Sequence, residues 1–447
     1  MFLLRLLTLC GLCLTSVLAH AEAERPPNVV LIISDDQGWK DYSFMGHPHL
    51  KTPHIDKLAR ESLVYTRGYV PTSLCRPSLA SILTGQNPFR HRITGNDPAL
   101  VGALAEMKRP LAMKSPAYQE LRTNYSRNLD ALPKLPSALH SYRGYVSFQT
   151  GKWWERNPSD CGFTAGMSHG DTEKGGRHGD EGLSIGRQGI APIEKFMDDA
   201  MEQRKPFMVW YAPMMPHTPH NPPQRLVDKY KSLTPHLPIA KYWAMCDWFD
   251  ESVGELMGAL EKRQLVNNTI VLYVVDNGWV QSPSGEGGAT GAERGKRSPY
   301  DGGTRTPIMV RWPGHVIPRR DDTHLVCSID LFPTILHAAG VDDPSLFRSL
   351  PGRNLLDAPM IAERQKIFGD IYEHDVHDIH NPSASLRYRW VIEGEWKLIE
   401  PNRERVPEGV AELYHITVDP DEQQNLATGE PDRVADLRKA LDAWWTP

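Results

Sequence analysis

The chain has 447 residues, with 50 Lys+Arg against 55 Asp+Glu and a formal net charge of -5. Apolar residues make up 40% and charged residues 23%, an ordinary globular composition that excludes a disordered or fibrous chain. An acidic balance without a basic block also excludes nucleic acid as the main partner.

Arg5 precedes an apolar run over residues 6–19, followed by the small-x-small sites Ala19-His20-Ala21 and Ala21-Glu22-Ala23. This pattern predicts a cleaved signal peptide over 1–23, too short to span a membrane. No later stretch approaches the length of a membrane helix, so the mature chain is expected to be secreted or periplasmic, with no integral membrane segment. The roughly 425 residues that follow exceed what one core usually supports, and a large unit plus a smaller one is expected.

Asn28-Val-Val-Leu-Ile-Ile-Ser34 is continuously apolar and ends in Asp35-Asp36-Gln37-Gly38. Continuous rather than alternating apolarity predicts a strand buried on both faces, as in a helix-covered parallel sheet. Residues 73–85 read as a loop entering a short helix, with Pro77 early and Gly85 as the cap, which puts Cys75 at the helix N-terminus. Residues 98–132 and 166–187 read as loops or small excursions. A strand over 145–149 leads to Lys152, and another over 207–211 leads to His217 and His220. A helix is predicted over 239–265, then a second buried strand, Thr269-Ile-Val-Leu-Tyr-Val-Val275, ending in Asp276-Asn277. Strands alternating with helices predict an α/β fold with a mostly parallel sheet and polar residues gathered at its carboxyl ends. Near the C-terminus the pattern changes to an antiparallel hairpin over 386–399 and an amphipathic helix over 432–445. The boundary is placed near residue 355, giving a catalytic unit over 24–355 and an α+β unit over 356–447.

Asp35, Asp36, Asp276 and Asn277 offer three carboxylates and an amide oxygen at two strand ends, hard ligands that suit Ca2+ or Mg2+. Either turn alone reads equally as a solvated Asp-rich turn. With Cys10 and Cys13 gone in the leader, Cys75, Cys161, Cys246 and Cys327 are widely spaced. They suggest neither a zinc site nor a disulfide scaffold, though one disulfide is compatible with export. Cys75 at a helix N-terminus favours a thiolate or an anionic ligand. His374, His377 and His380 read as a solvated loop.

Cys75-Arg76-Pro77-Ser78 followed by Leu83-Thr84-Gly85 resembles the sulfatase signature. Thr52-Pro-His-Ile-Asp-Lys-Leu-Ala59, Thr150-Gly-Lys-Trp153, Pro216-His217-Thr-Pro219, Asp276-Asn277-Gly278, Gly295-Lys296 and Tyr300-Asp-Gly-Gly-Thr-Arg-Thr-Pro307 match in family order. The resemblance implies an alkaline-phosphatase-like α/β fold and a Ca2+ (or Mg2+) held by Asp35, Asp36, Cys75, Asp276 and Asn277. It also implies that a maturation enzyme oxidises Cys75 to formylglycine, the nucleophile, and that Lys152, His217 and Lys296 are catalytic. The implied substrate is a sulfated carbohydrate or a small aryl sulfate. Two positions depart from the pattern: Leu79 stands where the signature has Arg, and Trp154 where the family has His. They leave open a silent sulfate-ester-binding member, and because a divalent metal and two lysines serve phosphate too, a phosphoester or phosphonoester hydrolase on the same fold is a second alternative.

Overall fold

In the computed structural model, residues 25–170, 178–285, 288 and 291–447 are described, so the expected leader lies outside the described residues. The first apolar run forms the strand Asn28–Ser34, buried along its whole length. It lies between Phe207–Ala212 and Thr269–Val275, parallel to both. Outward from Phe207–Ala212 come Val146–Gly151 and Ala165–Gly166. On the other side come Arg305–Arg311, Leu63–Tyr69 and Val326–Cys327, with Arg319–Asp321 also on Leu63–Tyr69. Arg305–Arg311 runs antiparallel to its neighbours, and the other pairings are parallel.

Both faces of this sheet are covered, which is why its central strands carry no polar alternation. One face packs the helix Cys75–Thr84 through Leu79, Ile82 and Leu83 among Leu31, Ile308 and Phe332. The other packs the long helix Leu237–Lys262 through Met245, Phe249, Val253 and Leu256. Asp250 of that helix accepts the amides of His54 and Ile55 at 3.2 and 2.7 Å, capping the helix Pro53–Arg60.

A four-stranded antiparallel sheet follows, in the order Lys366–Tyr372, Leu386–Glu393, Trp396–Pro401, Glu412–His415. The hairpin turns where the sequence placed it, at Gly394 (φ 55°). The final helix, Pro431–Trp444, covers one face through Val434, Leu437 and Leu441. The other face closes on Tyr69 and Leu325 of the larger part through Ile367, Trp390 and Ile399. Between them Lys397, fully buried, sits 2.9 Å from both Asp301 and Glu422.

The stretch 98–132 is more ordered than loops. Residues 116–126 form a helix whose N-cap, Ser115, accepts the Tyr118 amide at 3.3 Å, and Tyr118, Arg122 and Tyr125 recur at three and four residues on its buried side. Of 166–187, residues 171–177 lie outside the described residues.

Candidate active site

The site collects at the carboxyl ends of four central strands, where each strand hands over to a sharp turn. Asp36, directly after Asn28–Ser34, has φ 62°, a left-handed conformation costly for a residue with a Cβ, and the turn aims Asp35 and Asp36 into the same space. Gly151 ends the next strand at φ 77°. A Cβ there would lie 1.8 Å from the Ala212 carbonyl oxygen, and the close approach lets the Lys152 amide bond that oxygen at 2.7 Å. Beyond Phe207–Ala212 the chain pairs back on Asp35, whose amide donates to Met215 O at 3.0 Å, and this brings His217 alongside. At the fourth strand end, Asp276 accepts the amides of Asp36 and Asn277 at 3.2 and 2.6 Å.

Opposite these turns the helix Cys75–Thr84 begins at the cysteine itself. All ten of its residues are buried, and Gly85, at φ 66°, caps it. Cys75 Sγ lies 3.8 Å from Asp35 Oδ1 and 3.7 Å from Lys152 Nζ. Lys152 Nζ reaches both oxygens of Asp35, at 3.3 and 3.0 Å. Lys296 Nζ reaches both oxygens of Asp36, at 2.7 and 2.9 Å, and stands 3.4 Å from His217 Nε2. Asn277 Nδ2 donates to Asp36 Oδ1 at 2.7 Å, which turns its oxygen the other way. The eight positions expected from the sequence therefore converge on one buried cluster. In it, ligand atoms of Asp35, Asp36, Cys75 and His217 all lie within 4.8 Å of one another.

Burial governs the protonation states. It pushes the Cys75 thiol well above its usual range, and Lys152 and Lys296 offset this only in part. Asp276 is likewise raised far above an ordinary carboxylate by burial, then by Asp35 and Asp36. Burial opposes the charge on Asp36 too, yet Lys296, His217 and Lys152 together hold it below the usual value. Burial disfavours cationic Lys152 and Lys296, but Asp35 and Asp36 respectively keep both charged. His217 is lowered, first by burial. Its Nδ1 lies 2.5 Å from the Thr218 carbonyl, which only accepts, so Nδ1 carries the hydrogen and Nε2 presents its lone pair to Lys296.

Family models match most of the chain: the sulfatase model over residues 27–341, and the model named "N-sulphoglucosamine sulphohydrolase, C-terminal" over 293–443. The chain belongs to the sulfatase family. It is accordingly a sulfuric ester hydrolase by membership. Human arylsulfatase A is 29% identical over 386 residues, covering 79% of this chain and 72% of that protein. Human N-acetylgalactosamine-6-sulfatase is 28% identical over 371 residues, covering 75% and 66%. Among solved structures, Ps i-CgsB in complex with k-i-k-neocarrahexaose superposes with a TM-score of 0.71 at 22% identity, covering 94% of this chain and 92% of that one. At that identity the likeness establishes the fold, and the mostly parallel sheet with its separate antiparallel sheet agrees with it.

The two departures have clear places in this sulfatase. Leu79 is buried in the apolar core on the inner side of the helix Cys75–Thr84. Arg76, near it in sequence, does not take over at the carboxylates. Its guanidinium is bidentate on Glu155 at 2.6 and 2.8 Å, bonds Asn96 O and Ser126 Oγ, and stacks on Tyr125. Trp154 lies beside Lys152, whose Nζ is 5.0 Å from the ring centre, and packs edge-on against His178. Two supports escaped the sequence reading. Glu155 clamps the Lys152 segment to the helix Cys75–Thr84 through Arg76. Arg187 holds the His217 loop, with Nη2 2.8 Å from Met214 O and Nη1 2.7 Å from Asn221 Oδ1. Neither lies in a motif; each is a charged residue in a stretch that composition alone marks as a loop. His220 packs on Tyr242 and Trp279, away from the cluster. His377 and His380 are exposed, and His374 pairs with Asp375. The four described cysteines are free thiols. No helix among the described residues is long and apolar enough to cross a membrane.

Proposed function

We propose that the chain is an exported sulfatase that removes sulfate from a sulfated carbohydrate or aryl ester, using formylglycine formed from Cys75 by a maturation enzyme and a bound Ca2+ or Mg2+. One observation carries this reading: three buried aspartates and an asparagine face Cys75 between two ammonium groups, with oxygens left over. Asp276 Oδ2 and Asn277 Oδ1 are buried without a hydrogen-bond partner, and Asp35 Oδ2 has only the charge of Lys152 beside it. Unmatched buried oxygens of this kind fit a hard divalent cation. Asp35, Asp36, Asp276 and Asn277 would hold it together with residue 75. When bound, the cation offsets charge on the sulfate oxygens, and formylglycine supplies the hydroxyl nucleophile.

The chain's own residues do the rest. Lys152 and Lys296, both kept protonated, donate to sulfate oxygens, where a desolvated ammonium is worth more than in water. His217 exposes its Nε2 lone pair toward Lys296, so the pair shares one proton and can deliver it to the departing ester oxygen. The walls of the cluster exclude water from these groups. Residues 24–355 form the catalytic unit in this reading and 356–447 the smaller one, a division supported by the change from a mostly parallel to an antiparallel sheet.

A second reading, sulfate-ester binding without turnover, is favoured by Trp154, whose indole occupies the side of Lys152 where a proton-accepting imidazole would stand. A leaving-group series of aryl sulfates separates the two. The hydrolase reading expects Ca2+-dependent sulfate release in which His217→Ala hurts poor leaving groups more than activated ones. Binding of every ester with no sulfate released would replace it with the binding reading.

A further inference from the structure

Three of the segments that carry the cluster run on into a separate cleft. Asp36 is followed by Gly38 and Trp39, Asn277 by Trp279, and Lys296 is preceded by Glu293 and Arg294. All five of these neighbours line one cavity of about 560 Å3, which the turn 420–423 of the smaller unit also walls. Consecutive Cα atoms are about 3.8 Å apart, so Gly38, Trp279 and Arg294 each stand within about 7.6 Å of a cluster residue, Cα to Cα. The lining is aromatic. Tyr242 and Trp279 are buried and held, the first by its hydroxyl on Asp41 at 2.7 Å, the second by its indole on Gln281 at 3.0 Å. Trp39, Trp243 and Tyr300 are half-buried, so part of each ring stays open. Arg305 lies 3.9 Å from the ring centre of Trp39 and Arg294 4.4 Å from that of Tyr300, which fixes both rings. The charges of the cleft match. Lys40 pairs with Asp421 at 2.5 Å, and Arg294, which donates to the Glu422 carbonyl, is offset by the exposed carboxylate of Glu293. With no cation in surplus, the cleft does not select a second anion.

We propose that this cleft binds an uncharged sugar ring next to the sulfated one, so that the substrate is an oligosaccharide rather than a lone sulfated sugar. The inference rests on the sulfate-ester reading above, since the cluster would hold the sulfate that reacts. The volume lies within the roughly 300–1,000 Å3 of small-ligand sites. A pyranose ring presents an apolar face of C–H groups that packs on an aromatic face, while its hydroxyls need acceptors and donors at the rim. Trp39, Trp243 and Tyr300 offer the first, and the exposed Glu293 and Gln423 the second. Continuity with the cluster along three segments places the two rings of one ligand together.

The test is calorimetric binding to the full mature chain in Ca2+, carrying Cys75→Ala so that no ligand is consumed. Three pairs of probes serve: galactose 4-sulfate, galactose 6-sulfate and N-acetylglucosamine 6-sulfate, each alone and as a disaccharide with an uncharged galactose. At least one disaccharide should bind about tenfold or more tightly than its own monosaccharide, the scale of one or two aromatic contacts. Trp39→Ala and Trp243→Ala should each lower that ratio while leaving monosaccharide binding unchanged, and Trp39→Phe should retain most of it. A ratio near one for every pair that binds, or a ratio that survives both alanine substitutions, overturns the cleft alone. Failure of all six probes to bind overturns the sulfate-ester reading and the cleft with it.

Discussion

Two buried ionic clusters sit within this chain, and their difference separates structure from function. In the first, Lys397 pairs with Asp301 and Glu422 at 2.9 Å, Asp301 also takes the hydroxyl of Tyr69 at 3.1 Å, and Glu422 receives the Asp301 amide at 2.6 Å. With Arg305 3.4 Å from Asp301, two cations face two carboxylates and the charges balance, although Glu422 Oε1 has only the charge of Lys397 beside it and burial raises that carboxyl to about 7. In the second, Lys152 and Lys296 face Asp35, Asp36 and Asp276, and the balance does not close. Asp276 answers with a strongly raised pKa, and oxygens remain without donors. The cluster that joins two sheets balances its charges without a ligand, whereas the second keeps one carboxylate in excess and leaves Asp276 Oδ2 and Asn277 Oδ1 with no donor.

This contrast can be broken by substitution. Lys397→Met should give the largest loss, about 3–5 kcal/mol of stability by denaturant unfolding, because Glu422 would stay buried and unpaired and Asp301 would keep only Arg305. Folded Lys397→Met protein should nonetheless still bind one Ca2+. A loss under about 1 kcal/mol would mean that the triad is not a structural tie. Asp276→Ala should do the reverse. It should lower kcat/KM at least about a hundredfold, remove the metal detected by mass spectrometry, and abolish the rise in melting temperature that Ca2+ gives. Unchanged metal content in that variant would end the shared-site account. Lys152→Ala and Lys296→Ala should each cost about tenfold or more in kcat/KM, the scale of one charge-assisted contact in a dry site.

The smallest expected effect lies in the small sheet, at Asp370. Burial raises its carboxyl to about 7, well above an ordinary carboxylate, with Tyr372 donating to it at 2.7 Å. The stability given by the protonated group is whole below the unfolded value and is lost as pH rises through about 7, because the unfolded chain releases its proton first. Asp370→Asn should therefore gain on the parent by about 1 kcal/mol or more between pH 4 and 7. A difference that does not change with pH would show that Asp370 is ionised in the fold.

Much of the site was legible because the chemistry sits where buried strands stop. Continuous apolar runs announced Asn28–Ser34 and Thr269–Val275, and the Asp-rich turns after them became the carboxylate cluster. The helix at Cys75 was readable from Pro77 and Gly85, since both positions have one stereochemical use there. The ties between segments were not readable. Arg76 with Glu155, Arg187 with the Met214 carbonyl, and Lys397 with Asp301 are each a single charged residue whose partner lies tens of positions away. Burial, which local composition does not encode, turns such residues from solvated side chains into fixed supports. The helix Pro116–Ser126 was missed for a related reason: its buried face is made of Tyr and Arg rather than aliphatic residues, so no apolar stripe marks it.

Whether Cys75 becomes the nucleophile despite Leu79 and Trp154 is tested most directly by the mass of its tryptic peptide. After co-expression with a competent maturation enzyme, part of the peptide should be about 18 Da lighter than the thiol form and should react with a hydrazine probe, since oxygen replaces sulfur and two hydrogens leave. A peptide that stays entirely thiol under those conditions would contradict the formylglycine hydrolase.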